Sequence, residues 1–203
     1  LSETAEWRPG EESLACYRLS KKDFESIVDT ESPQGVAAVC QIPETATTES
    51  LSVGNGVLIA MDAIQDPGNL GTMVRSAVWF GASGILCGKG TVDLYHPKVV
   101  RSTAGVTGLL PVSTGILGTE LEKLESAGWN VLLLDAGPEA SPLQHLPLPD
   151  RIVLVVGNEG NGIDSSLFDR ERQRVAIEGN RDRLESLNAA VALSIVLYEL
   201  TKH

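Results

Sequence analysis

Residues 152–162 read Ile152-Val-Leu-Val-Val156-Gly157-Asn158-Glu159-Gly160-Asn161-Gly162. Five consecutive apolar residues, four of them β-branched, run straight into a loop with three glycines. A short apolar run without alternation marks a strand buried on both faces, as in a parallel sheet covered by helices. Glycines let backbone approach a ligand closely. Ligands of open α/β sheets sit just beyond the carboxyl ends of the strands. The loop, with one carboxylate at Glu159, is therefore the first candidate site. A plain glycine-rich turn after a core strand is the competing reading.

Outward from this stretch, strands and helices alternate. Strands are expected at 57–61, 83–87, 110–112, 129–134 and 174–177, and helices at 70–80, 97–102, 117–127, near 164–169 and at 187–201. Pro97 suits a first helical position and Gly128 a helix stop. This alternation predicts an α/β domain: a parallel sheet flanked by helices. Upstream, Ser20 and Asp23 predict a capped helix over about 20–28, with Phe24, Ile27 and Val28 on one face. Residues 35–42 read as a strand ended by Pro43, and the polar segment 44–55 as a linker. The expected division is a small segment at 1–50 and a main domain at 51–203.

At 203 residues and 42% hydrophobic, the chain can bury one ordinary core. It has no apolar run long enough for a membrane span and no secretory leader pattern at its start. Cys16, Cys40 and Cys87 are isolated and odd in number, which predicts a reducing, cytoplasmic setting. His96, His145 and His203 lack metal-ligand spacing, so no metal site is expected. The net charge of −11 excludes a broad electrostatic footprint on nucleic acid, so a polyanionic partner needs a local basic patch.

Two further loops carry chemistry. Asp66-Pro-Gly-Asn69 is a turn into the 70–80 helix, with Asn69 placed to cap it and Arg75 in its second turn. A helix start of this kind can also hold a phosphate. Arg183-Leu-Glu-Ser186-Leu187-Asn188 precedes the last helix, and both Ser186 and Asn188 favour caps. No loop matches a Walker A motif, and the glycine spacing at 157–162 is wrong for a dinucleotide fingerprint.

Taken together and in this order, the loops resemble the SpoU/TrmH family of RNA ribose 2′-O-methyltransferases, of the SPOUT superfamily. The motifs are Asp66-Pro-Gly-Asn69-Leu-Gly71-x3-Arg75-Ser-Ala77-x2-Phe80-Gly81, then Val156-Gly-Asn-Glu159-Gly160, then Glu185-Ser-Leu-Asn188-Ala-Ala-Val-Ala192. Val92-Asp-Leu-Tyr-His-Pro-Lys-Val-Val-Arg101-Ser is similar to the family as well. The resemblance spans about 55–203, and residues 15–43 are similar to the end of an L30e-like RNA-binding domain.

The resemblance implies an α/β-knot, a deep trefoil in the C-terminal part, that binds S-adenosylmethionine without a metal. It implies a homodimer acting on ribosomal or transfer RNA. The cofactor walls would be Leu134, Gly157, Asn158, Glu159, Gly162, Ile177, Leu187 and Asn188, with Val175 as the alternative register for Ile177. Arg75, Asn69, Glu159, Ser186 and Asn188 would serve the methyl transfer, and Arg75, Lys98, Arg101, Arg181 and Arg183 would contact RNA. Lys89 is open between that role and simple solvation. The last helix, apolar at Leu187, Val191, Leu193, Ile195, Val196 and Leu197, would be core and dimer surface at once. Two other readings are a non-catalytic RNA-binding or assembly protein on the same fold, and a base-modifying enzyme of the same superfamily.

Overall fold

The computed structural model describes residues 15–30, 32–143, 149–168, 170, 172–180, 183 and 186–201. His145, Arg181 and His203 lie outside them. The chain divides into two compact units, Leu1–Ile42 and Pro43–His203.

In the first unit, α1 (Lys21–Ile27) is capped by Ser20, whose side chain accepts from the Asp23 amide. Of its three expected apolar positions only Phe24 is buried, and Ile27 is exposed. The strand expected at 35–42 does not form: the backbone there is irregular and nearly every residue is exposed. A strand needs a neighbour for its N–H and C=O groups, and no ladder includes these residues.

The second unit starts at Pro43, so 44–55 is not a linker and the boundary falls after Ile42 rather than residue 50. The polar run instead builds α2 (Thr48–Ser52) with a capping box between Thr47 and Ser50, and Thr48 and Leu51 are buried. Serine and threonine look like linker composition, but here they close a helix start.

Among the described residues, seven strands form one all-parallel sheet in the order β3-β2-β1-β6-β4-β7-β5. They are β1 (Gly56–Met61), β2 (Gly84–Gly88), β3 (Val112–Gly115), β4 (Asn130–Leu134), β5 (Ser141–Pro142), β6 (Arg151–Val156) and β7 (Gln173–Ala176). β3 starts two residues later than expected, since it is Val112 that pairs with Ile85. The stretch that opened the reading, β6, lies between β1 and β4, in register from Gly56↔Arg151 to Met61↔Val156.

Its unbroken hydrophobicity has a direct cause. Ile152, Leu154 and Val156 join Ile59, Met61 and Ile85 in a core under α3 (Pro67–Trp79), α4 (Pro97–Ser102) and α6 (Ala189–Thr201). Val153 and Val155 join Leu58, Ala60 and Leu86 in a second core under α5 (Leu117–Ser126). Successive side chains point to opposite faces, and both faces are covered. α3 and α4 pack closely because Gly71 has no side chain: a Cβ there would overlap Ser102, whose hydroxyl donates to the Pro67 carbonyl at 2.9 Å.

Candidate active site

The carboxyl ends of β4, β6 and β7, with the start of α6, enclose a cavity of about 590 Å³. All eight expected cofactor-wall residues line it: Leu134, Gly157, Asn158, Glu159, Gly162, Ile177, Leu187 and Asn188. Ile177 lines this cavity, whereas the alternative, Val175, is fully buried in β7. Asn69 and Ser186 line the cavity too. Asp135, Glu178 and Asn180 line it as well; they fall in the expected wall segments 132–137 and 177–188, although the sequence did not single them out individually.

The 157–162 loop is shaped from within. Asn158 and Gly162 exchange backbone hydrogen bonds of 2.9 Å each way, and the Asn158 side-chain oxygen accepts from the amides of Gly160 and Asn161. This curls the loop so tightly that a Cβ on Gly157 would overlap the backbone of Gly162 and Ile163. Gly162 itself sits at φ +72°, where side chains are disfavoured.

Three loops then meet in one hydrogen-bond chain. Asn188 Nδ2 donates to Asn69 Oδ1 at 3.0 Å, and Asn69 Nδ2 donates to Glu159 Oε1 at 3.0 Å. Glu159 also accepts from the amides of Gln65 and Asp66 at 3.4 Å, and Asn158 Nδ2 donates to the Ala63 carbonyl at 2.8 Å. Asn69 is free for this because it does not cap α3. The cap is Asp66, whose carboxylate accepts from the Asn69 amide at 2.7 Å, with Pro67 following at the first helical position. The Asp-Pro pair was a legible signal for that start. Asn188 does cap its helix, accepting from the amides of Ala190 and Val191.

Arg75 is placed differently. With α3 starting at Pro67 it falls in the third turn, exposed, and it does not line the cavity. It stands ~9 Å along the helix axis from Asn69. Thr72, Arg75 and Trp79 follow one another at helical neighbour spacing on the outer side of α3. Lys98 and Arg101 lie on α4, exposed, and Arg183 is exposed between β7 and α6.

Charge is sorted by place. Among the described residues, the cavity lining includes Asp135, Glu159 and Glu178 but no lysine or arginine. Away from the cavity, Lys123, Arg170, Arg172 and Arg174 are held by carboxylates. Arg75, Lys89, Lys98 and Arg183 have no carboxylate partner among the described residues.

Asp62, at the end of β1, ties this loop to the next one by accepting from the Asp164 amide at 2.7 Å. Its burial raises its carboxyl above the ordinary 3.8. The native state therefore holds a proton longer than the unfolded chain, and this residue's contribution to stability falls as pH rises through that window. Asp62→Asn keeps an acceptor for Asp164. The variant is expected to melt at or above the wild type near pH 7, with the gap closing toward about pH 4, as read by thermal unfolding at several pH values.

The sequence profile of the SpoU rRNA methylase family matches residues 56–198. The chain is 37% identical over 190 residues to the 23S rRNA (guanosine(2553)-2′-O)-methyltransferase RlmP of Bacillus subtilis, covering 94% of this chain and 74% of that one. It is 31% identical to an uncharacterized tRNA/rRNA methyltransferase of Synechocystis, over 93% and 68% of the two chains. The crystal structure of an AdoMet-bound rRNA methyltransferase from Sinorhizobium meliloti superposes with a TM-score of 0.82 at 25% identity, over 92% of this chain and 71% of that one. The chain belongs to the SpoU rRNA methylase family.

Proposed function

We propose that the chain transfers a methyl group from S-adenosylmethionine to a ribose 2′-hydroxyl of RNA. Ribosomal RNA is the favoured substrate, since the B. subtilis relative is named for it. The observation that carries this reading is the Asn188–Asn69–Glu159 chain at the wall of the cavity. It locks a ligand-sized space to a second loop, from which α3 leads out to Arg75, which has no carboxylate partner among the described residues.

The cavity suits the cofactor. Leu134, Ile177 and Leu187 offer apolar surface to a flat base, Gly157 lets the loop curl into the wall, and the three carboxylates favour a cationic ligand. When bound, the sulfonium supplies an activated methyl group and its own leaving group. The protein's part is to orient the ribose and to favour loss of its hydroxyl proton, which passes to solvent. Asn69, held on both sides, has the donors and acceptors to fix a hydroxyl, and Glu159 holds Asn69. Arg75 stays protonated and cannot serve as a base. Its role is to hold a backbone phosphate and stabilise the forming alkoxide. Ser186 adds a hydroxyl to the same wall.

We further infer the α/β-knot and a homodimer. Residues 177–180 and 186–189 line the same cavity as 134–136 and 157–160, and α6 returns to pack on α3, which supports the knot. For the dimer, α6 buries Leu193, Val196 and Leu197 but exposes Val191, Ile195 and Tyr198, which line one shallow groove together with Thr72 of α3. A contiguous apolar stripe of this kind marks an interaction surface, and a two-fold contact uses one such patch twice. Val191→Glu is expected to shift the protein from dimer to monomer in light scattering; a monomeric wild type would remove the dimer. We read the first unit as part of an L30e-like RNA-binding domain, and the setting as the cytoplasm, where ribosomal RNA is made and modified.

Titration calorimetry with S-adenosylmethionine and S-adenosylhomocysteine tests the central reading. About one cofactor per chain is expected, followed by 2′-O-methylated nucleosides in digests of treated RNA. Absence of cofactor binding favours the non-catalytic RNA-binding reading, and a methylated base favours the base-modifying one.

A further inference from the structure

A second cavity, of about 390 Å³, opens at the carboxyl ends of β2 and β3. Tyr95, Leu94, Val112 and Ile116 give it an aromatic and apolar lining, Thr91 and Thr114 add hydroxyls, and Lys89 stands at its lip. Tyr95 is half-buried against the core, and no hydrogen bond to its hydroxyl is present among the described residues. Burial, then the nearby Asp93, raise its pKa, so the phenol remains a donor. Cys87 also reaches this cavity, but burial pushes its thiol up to about 12, which rules out a thiolate nucleophile there.

Lining residues of both cavities are tied to one loop, 61–66. The 61–66 loop is held on one side by Glu159 and Asn158, through the amides of Gln65 and Asp66 and the Ala63 carbonyl. On the other side the second cavity's own residues hold it. The Val92 amide donates to the Ile64 carbonyl at 2.8 Å, and the Thr91 hydroxyl donates to the Met61 carbonyl at 3.0 Å. Since β2 and β6 flank β1, their ends lie only ~10 Å apart, two strand spacings. That is the scale of one nucleotide. Lys89 and Lys98, which bracket the 90–97 segment, have no carboxylate partner among the described residues.

We propose that this second cavity receives an unstacked base of the RNA, that of the methylated nucleotide or of its immediate neighbour. Lys89 and Lys98 meet the adjoining phosphates. The inference rests on the ribose-methylation reading above. Sequence-specific RNA recognition works on splayed bases that stack on aromatic rings and bond through their edges. An aromatic face, two hydroxyls and a lysine at the lip match a base carrying a phosphate. A bare anion would not need the ring, and a purely apolar ligand would not need the hydroxyls.

The test titrates AMP, GMP, CMP and UMP into the isotope-labelled chain, with and without saturating S-adenosylhomocysteine, and follows backbone amides by NMR. Shifts are expected to cluster at 88–95 and 114–116, with one base clearly preferred. Thr114→Trp, which fills the mouth from an exposed position, is expected to abolish them. Lys89→Glu is expected to weaken nucleotide binding about tenfold, and both variants should keep the affinity for S-adenosylhomocysteine. Shifts confined to the first cavity, or none up to ~10 mM nucleotide, would overturn the proposal. Because cofactor binding is read on the same sample, its loss would count against the methyltransferase reading, whereas loss of nucleotide binding alone counts only against the second cavity.

Discussion

Gly157→Ala is expected to lower affinity for S-adenosylmethionine by more than about a hundredfold while the chain still folds. The methyl group has nowhere to go, because the backbone of Gly162 and Ile163 occupies that space, closed by the paired hydrogen bonds between Asn158 and Gly162. Relief requires the loop to open, and the loop is a wall of the cavity. Overpacking of this kind costs ~1–3 kcal/mol, so a lowered but cooperative melting transition should accompany the loss. Calorimetry gives the affinity and circular dichroism the fold. Near-normal affinity in a folded variant would mean that the cofactor does not use this loop.

Arg75→Ala is expected to give the opposite pattern: cofactor affinity unchanged, turnover down by about 10²–10³-fold, the range seen when one donor to a developing oxyanion is removed. Affinity is spared because Arg75 lies outside the cavity lining. Turnover suffers if the guanidinium meets the ribose and its phosphate. Arg75→Lys keeps the charge but not the planar fork, so it should recover RNA affinity better than rate. Unchanged turnover in the alanine variant removes Arg75 from the mechanism.

Much of the scaffold could be read from the chain because the relevant signals are local. The apolar run 152–156 announced a strand covered on both faces, and alternation of elements announced the parallel sheet. The cavity wall was legible only through the motif resemblance: nothing local joins Leu134, Gly157 and Ile177, which come together because β4, β6 and β7 end side by side. Errors arose where composition misled. Serine and threonine at 47–50 suggested a linker but form a capping box, and the apolar segment 35–42 lacks the neighbour that a strand requires. Asn69 was misassigned because two good caps, Asp66 and Asn69, lie within one turn. The structure gives the cap to Asp66 and leaves Asn69 to bridge Glu159 and Asn188.

The position of β6 also sets a timetable. β1, β2 and β3 are consecutive neighbours, but the other edge of β1 waits for residues from Arg151 onward. At ~5–20 residues per second, the nascent chain carries that open edge for roughly 5–20 s. Pairings between distant segments are slow to form and prone to aggregate while unmade. The loops that Glu159 clamps together therefore cannot meet until most of the chain has left the ribosome, and ligand binding becomes a report on the last stage of maturation.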